Sequence, residues 1–381
     1  MRTKKHFALR GGLPLAGALI VLALGAPNAG AAEFGAGTFT LNPSAKFSKQ
    51  VKFTPTAPAT RSGRGVAMPI QSGTATMSQS NTGSLNLRGG FRIRSGRRRA
   101  TATSCVEALA ASVARLRCRF GRRTIAMFEQ VTTGGKISPD PAFTGLTGTA
   151  IRVRLSRAGA RFINRTLRPS RASAARVRAR QAVGTAALDA VRFLTATGGT
   201  TTTAYNEEFY DKLQSCGIRL EAINPATANP AGPGAPRGSV DLPVQSGTFN
   251  ARFLQSRATA RTAQAGATDV ATLNLGGGTR LVRDNPPYTS DLTNFVFDLS
   301  TTPPTLSAFA SRFNQTLPIG TVENARFSMN LTDTSGSITL SGGRLKISDL
   351  AAQVLSSDTG CQLTTDEEKI IGDSTGTVTV G

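Results

Sequence analysis

The heptapeptide Met68–Thr74, MPIQSGT, returns as Leu242–Thr248, LPVQSGT. A chain that repeats a segment must repeat the piece of fold to which the segment belongs. The likeness extends on both sides and in the same order. Upstream, Val51–Thr60 (VKFTPTAPAT) matches Ile218–Thr227 (IRLEAINPAT). Downstream, Ser84–Ile93 (SLNLRGGFRI) matches Thr272–Leu281 (TLNLGGGTRL), and Arg154–Ile163 (RLSRAGARFI) matches Lys346–Leu355 (KISDLAAQVL). The offset drifts from 167 (Val51 to Ile218) to 192 (Arg154 to Lys346), as loop insertions would produce. We therefore expect two copies of one domain, over residues 32–197 and 198–381.

Each copy reads as alternating apolar and polar residues broken by Gly and Pro. VAMPI, LNL, FRIR, VARLRCRF and IRVRL in the first are echoed by VDLPV, LNL, FVFDL, ARFSMNL, SITL and RLKI in the second. Period-two alternation with frequent turn signals predicts antiparallel sheet. The expected fold class is mainly β, with two tandem antiparallel β-sandwich or open-barrel domains, each carrying two short helices. Asn42, followed by Pro43, is the expected cap of the first helix. Asn206, followed by Glu207 and Glu208, caps its counterpart, and Ser156 and Ser348 cap the second helix of each copy.

The N-terminal residues set the expected compartment. Residues 1–31 combine Arg2, Lys4, Lys5 and Arg10 with an apolar run and the Ala29–Ala31 cleavage motif AGA, the layout of a secretory signal peptide. The apolar run falls short of the roughly 20 residues of a spanning helix, so a secreted, extracytoplasmic protein without a transmembrane anchor is expected. Charge is unevenly placed. Residues 33–200 hold 28 Lys and Arg against 5 acids, residues 201–381 hold 13 against 17, and the whole chain has a formal net charge of +23. The first copy is therefore arginine-rich and the second mildly acidic.

Cys105, Cys118, Cys216 and Cys361 are an even set in an exported chain, which implies two disulfides. The segment between Cys105 and Cys118 can fold back so that their strands become neighbours, which leaves Cys216 to pair with Cys361. Phe295 and Ser311 are the expected counterparts of Cys105 and Cys118 in the second copy. The one histidine, His6, lies in the signal peptide. A mature chain without histidine excludes the Ser-His-Asp triad, the Cys-His dyad and histidine-ligated metal. Gly372–Gly376 (GDSTG) fits the nucleophile-elbow pattern, but Ser374 has neither a following helix nor a base. No enzymatic activity is expected.

The order of a Gly-Thr strand, a capped helix, Pro-Ala-Thr (58–60 and 225–227), Pro69 or Pro243 with Gly73 or Gly247, and the LNL-x-GG segments resembles the Htaa-type domain. That domain occurs, often in tandem, in secreted and surface haem-uptake proteins of Gram-positive actinobacteria. The resemblance implies a cell-envelope binding module, and a tyrosine ligand for haem near the first strand–helix junction supported by a histidine. Only the second copy has tyrosines there, Tyr210 first and Tyr205 second. The histidine is missing from both copies. A tyrosinate ligand needs a nearby cation or donor to lower its pKa, for which Arg219 and Lys212 are the candidates.

A competing class comes from the first copy. Arg92 and Arg94, Arg115, Arg117 and Arg119, and Arg152 and Arg154 alternate with apolar residues, so they are expected on the solvent face of one sheet. Such a plate suits a structural or adhesive protein that binds cell-wall or other polyanions. Nucleic acid is not the expected target. The first copy has no Trp or Tyr on which to stack bases, and export keeps the chain from it.

Overall fold

The computed structural model describes residues 31–78, 81–133, 136–168, 176–259 and 269–381. The expected signal peptide lies outside the described residues, apart from Ala31. The chain is mainly β, and the strand pairings given below are all antiparallel.

Following the pairings around the first half returns to the starting strand. Ala31–Pro43 pairs with Gly65–Thr76, and the path continues through Gly83–Leu87, Ser104–Leu109, Val113–Phe120, Arg123–Val131 and Gly145–Leu155. It closes on the long strand Ala182–Tyr205, which pairs back with Ala31–Pro43. The second half closes in the same way. Ala182–Tyr205 pairs with Ser239–Asn250, followed by Ala271–Arg283, Tyr288–Asp298, Thr305–Ala310, Gln315–Glu323 and Gly336–Ile347; Ile370–Val380 completes the ring. These are closed eight-stranded barrels rather than sandwiches or open sheets. Closure leaves no edge strand unpaired, and eight strands enclose a lumen that side chains just fill or that holds one small ligand.

The strand Ala182–Tyr205 belongs to both barrels and runs unbroken past residues 197 and 198, where the sequence placed a boundary. One hydrophobic cluster takes its residues from Ala32 to Ala190, and a second from Leu194 to Val380. At the junction the buried Arg192 donates to the Thr332 carbonyl at 2.6 Å, and Arg252 pairs with Asp189 at 2.8 Å.

The repeated motifs sit at equivalent places. The register slips at Gln71 and again at Gln245, so QSG is a bulge in both halves. Asn86 donates to Ser72 Oγ at 3.1 Å, and Asn274 donates to Ser246 Oγ at 2.8 Å. Gly89 and Gly277 have φ near +75°, and a Cβ there would strike Ala59 N and Ala226 N, in the turns after cis Pro58 and Pro225. Only glycine tolerates that approach.

Caps Asn206, Ser156 and Ser348 each accept from the N–H three residues on. Asn42 does not cap. The first strand continues through Pro43, and Ser44 caps the helix Ala45–Gln50 instead. The second half also has a third helix, Ala251–Thr259, whose Phe253 N–H donates to Asn250 Oδ1. Each half was expected to have two.

Cys105 is bonded to Cys118 across the hairpin of neighbouring strands, with Cα atoms 4.1 Å apart, and Cys216 is bonded to Cys361. Ser311 is not the counterpart of Cys118. It lies opposite Asp291, to which its Oγ is bonded. Val296 pairs with Ser307 and Phe297 with Leu306, which puts Ala308 nearest Phe295.

Candidate functional site

Two helices of the second barrel, Glu207–Ser215 and Asp349–Thr359, are joined through Cys216–Cys361 and share a small apolar cluster of Phe209, Leu213, Ile218 and Leu355. Acidic Glu207 and Glu208 sit in the first turn of the former, where the helix dipole favours them. Between these helices and the barrel wall lies a cavity of about 140 Å³, lined by Tyr205, Phe209, Leu281, Tyr288, Ala310 and Leu355, among others. Its polar lining consists of the hydroxyls of Thr203, Thr279 and Ser290 and the two phenols; among the described residues no carboxylate, amine or guanidinium lines it. A cavity of this order, ~150 Å³, has room for a single small ring or its equivalent.

The first barrel shows why the second is hollow. Its corresponding space is filled by phenylalanine. Phe53 and Phe91 have ring centroids 5.5 Å apart, Phe91 and Phe128 6.2 Å, and Phe120 and Phe162 4.5 Å. Register identifies the counterparts. Phe53 pairs with Ile93 as Leu220 pairs with Leu281, and Phe91 pairs with Ala102 as Thr279 pairs with Leu292. Phe120 corresponds to Ala310, Phe128 to Gly320, and Phe162, six residues after its Ser156 cap, to Val354 after Ser348. At each of these five positions the second barrel has the smaller residue. The matched segments GGFRI and GGTRL carry one of these differences in plain view, at Phe91 and Thr279.

Tyr205 lines the cavity, and Tyr210 stacks beside it with ring centroids 5.8 Å apart. Burial pushes the Tyr205 phenol up to about 12, only partly offset by a hydrogen bond with Thr279. The cations expected to lower a phenol pKa are engaged elsewhere. Arg219 is hydrogen-bonded to Asp284 and lies 3.6 Å from Glu221, and Lys212 pairs with Glu368 at 3.5 Å. Arg237, which lies near Tyr210, is held by Glu207 at 2.8 Å and Asp211 at 2.6 Å. Tyr288 was not singled out from the sequence. It lines the cavity under Arg312 and Arg283, which sit 5.0 and 6.0 Å from its ring centroid; burial raises its phenol pKa nonetheless. A haem held by tyrosinate does not fit this donor set. The buried phenol resists ionisation, the neighbouring cations are committed, and the cavity is well below the ~300 Å³ at which ligand pockets usually begin.

The arginines do not form one plate. Arg115, Arg117 and Arg119 project outward from Val113–Phe120, and Arg152 and Arg154 from the strand two places along the same barrel, beyond Arg123–Val131. Glu129 stands in register between Arg115 and Arg154 and binds Arg154 at 2.8 Å. Arg92 and Arg94 belong to a separate three-stranded sheet of Lys52–Thr56, Gly90–Ser95 and Arg98–Ala102. Strand parity gave the correct outward face for each residue but could not say to which sheet it belongs.

No family model matches the chain, and no curated protein matches it by sequence. Among solved structures, the chain is similar to the C-terminal domain of HtaA from Corynebacterium glutamicum, with 13% identity and a TM-score of 0.30 over 49% of this chain and 99% of that one.

Proposed function

We propose that the protein is an exported, non-enzymatic binding module of the cell envelope, built from two copies of one barrel, and that its second barrel takes an apolar ligand. The cavity under the disulfide-linked helices carries this reading. It is apolar, it is framed by hydroxyls that can orient a ligand without reacting with it, and its equivalent in the first barrel is plugged. The lining has no carboxylate or amine among the described residues, and burial holds both of its phenols protonated, which favours binding over acid–base catalysis. The two disulfides suit an oxidising compartment. The ligand is of the size of an acyl-chain terminus or one ring, held by exclusion of water rather than by a metal bond.

The test is a titration of the mature chain with a fluorescent fatty acid, cis-parinaric acid, and separately with haemin. Copying the first barrel's side chains into the second as Thr279→Phe with Ala310→Phe closes the cavity. Saturable parinarate fluorescence in the wild type, reduced at least tenfold in affinity in the double variant, is expected; burying a few methylenes each worth about 0.8 kcal/mol is enough for that loss. Absence of saturable binding, or a tyrosinate-type haemin spectrum abolished by Tyr205→Phe, would overturn it.

A further inference from the structure

The first barrel's cations raise a separate question, because a folded surface ordinarily mixes charge signs. On the outward face of Val113–Phe120, Arg117 has Val106 and Ala126 as cross-strand neighbours, and Arg119 has Ser104 and Thr124. All four neighbours are uncharged. On the three-stranded sheet, Lys52, Arg94 and Arg99 occupy one row across the three strands, with Arg92 flanked by Thr54 and Thr101. All of these cations are exposed. The five acids of residues 33–200 lie elsewhere or are engaged. Glu107 is buried, Glu129 binds Arg154, Asp140 and Asp189 face Arg252, and Glu33 lies on the first strand.

The fold does not require these charges. Register puts Thr305, Ser307 and Phe309 of the second barrel where the first has Arg115, Arg117 and Arg119. Where the second barrel keeps a cation, it provides an acid. Arg280, the counterpart of Arg92, makes two bonds to Asp291 at 2.7 and 2.8 Å, and Arg219, the counterpart of Lys52, is bonded to Asp284. One scaffold therefore neutralises or omits these charges in one half, while in the other Arg92, Arg117 and Arg119 have no acid across the strand among the described residues. The two cationic surfaces are also contiguous along the chain. Arg98–Ala102 leads through Thr103, whose N–H donates to the Arg119 carbonyl, into Ser104–Leu109.

We propose that this face of the first barrel binds a linear polyphosphodiester without bases, of the polyol-phosphate type. Successive arginines on one face of a strand repeat every two residues, about 6.7 Å, and a row across the sheet repeats every ~4.8 Å. A flexible chain of phosphodiesters can satisfy both spacings. Guanidinium groups bind phosphate through paired N–H donors. The first half has neither Trp nor Tyr, and Phe53, Phe91, Phe120 and Phe128 are buried, so among the described residues this face offers no aromatic ring on which to stack a nucleobase, which separates this partner from single-stranded nucleic acid.

The experiment measures binding of the mature full-length chain to poly(glycerol phosphate) lipoteichoic acid over a range of salt, with oligo(dT) of matched charge as a second arm. The triple variant Arg115→Ser, Arg117→Ser, Arg119→Ser should lower the slope of log K against log salt by about 2, since each lost contact removes roughly 0.7. The corresponding triple Arg→Lys variant keeps the charge and should retain the slope. These side chains are exposed, so an unchanged thermal midpoint will accompany the loss. Wild-type binding by the serine variant would overturn the interface. Equal or tighter binding of oligo(dT) would overturn its assignment to a base-free polymer.

Discussion

Glu107 is completely buried in the first barrel, and among the described residues no cation lies beside it. Its Oε2 accepts from Gln130 Nε2 at 2.6 Å, while Glu107 Oε1 and Gln130 Oε1 have no partner. Burial raises its pKa from 4.5 to about 8, so the carboxyl is neutral in the folded protein at pH 7. The neutral acid is tolerated in the core, whereas the ionised form would leave a bare charge there. In the unfolded chain the group ionises near pH 4.5. The folded state therefore holds the extra proton between those two values, and stability is full below pH 4.5 and falls as pH rises towards 8. The slope is about 1.4 kcal/mol per pH unit. Over the whole interval the loss is of order 5 kcal/mol, and between pH 5 and 7 it is about 3 kcal/mol. Glu107→Gln keeps the shape and can pair amide with amide, but it has no proton to lose. Urea unfolding at pH 5, 6, 7 and 8 should show wild-type stability falling towards the higher values and the variant staying flat. All three tyrosines lie at or beyond residue 205 and there is no Trp. Tyrosine fluorescence thus follows the second barrel alone, and the difference should appear in far-UV circular dichroism. Parallel pH profiles for the two proteins would refute the argument.

Two further outcomes test the packing. Phe128, fully buried against Phe53 and Phe91, should cost about 3–5 kcal/mol when replaced by Ala, seen in the dichroism transition but not in tyrosine fluorescence. Removing Cys216–Cys361 as a Cys→Ser pair opens a link spanning 145 residues, worth about 5 kcal/mol in the loop-entropy account. The fluorescence transition should move to lower urea, and ligand binding should weaken as the two helices part.

Local features were legible in the sequence because their causes are local. A capping serine needs only the next three residues, so Ser156, Ser348 and Asn206 could be read directly. The recurrent QSG and GG motifs marked a bulge and a tight turn that both halves require. Asn42 was misread because the strand that contains it is held on both sides, by Gly65–Thr76 and by Ala182–Tyr205. Pairing over that distance overrides a local capping signal. Closure of the barrels was illegible for the same reason, since it depends on the first and last strands of each half meeting. Arg92 and Arg94 showed their face through parity, but their sheet depends on Phe53 finding Ile93. The cavity depends on residue sizes at positions far apart in sequence, such as Thr279, Ala310 and Val354. Strand register, which long-range pairing decides, is what matches the strand Phe residues of the first barrel to their smaller counterparts in the second.

The most direct test of the binding account is a methyl NMR titration of the mature protein with a medium-chain fatty acid. The account predicts shifts concentrated on Leu220, Leu281, Leu292 and Leu355, which line the cavity, with the methyls of Leu116 and Ile163 in the first barrel unmoved. Shifts spread equally over both barrels, or none at saturating ligand, would contradict it.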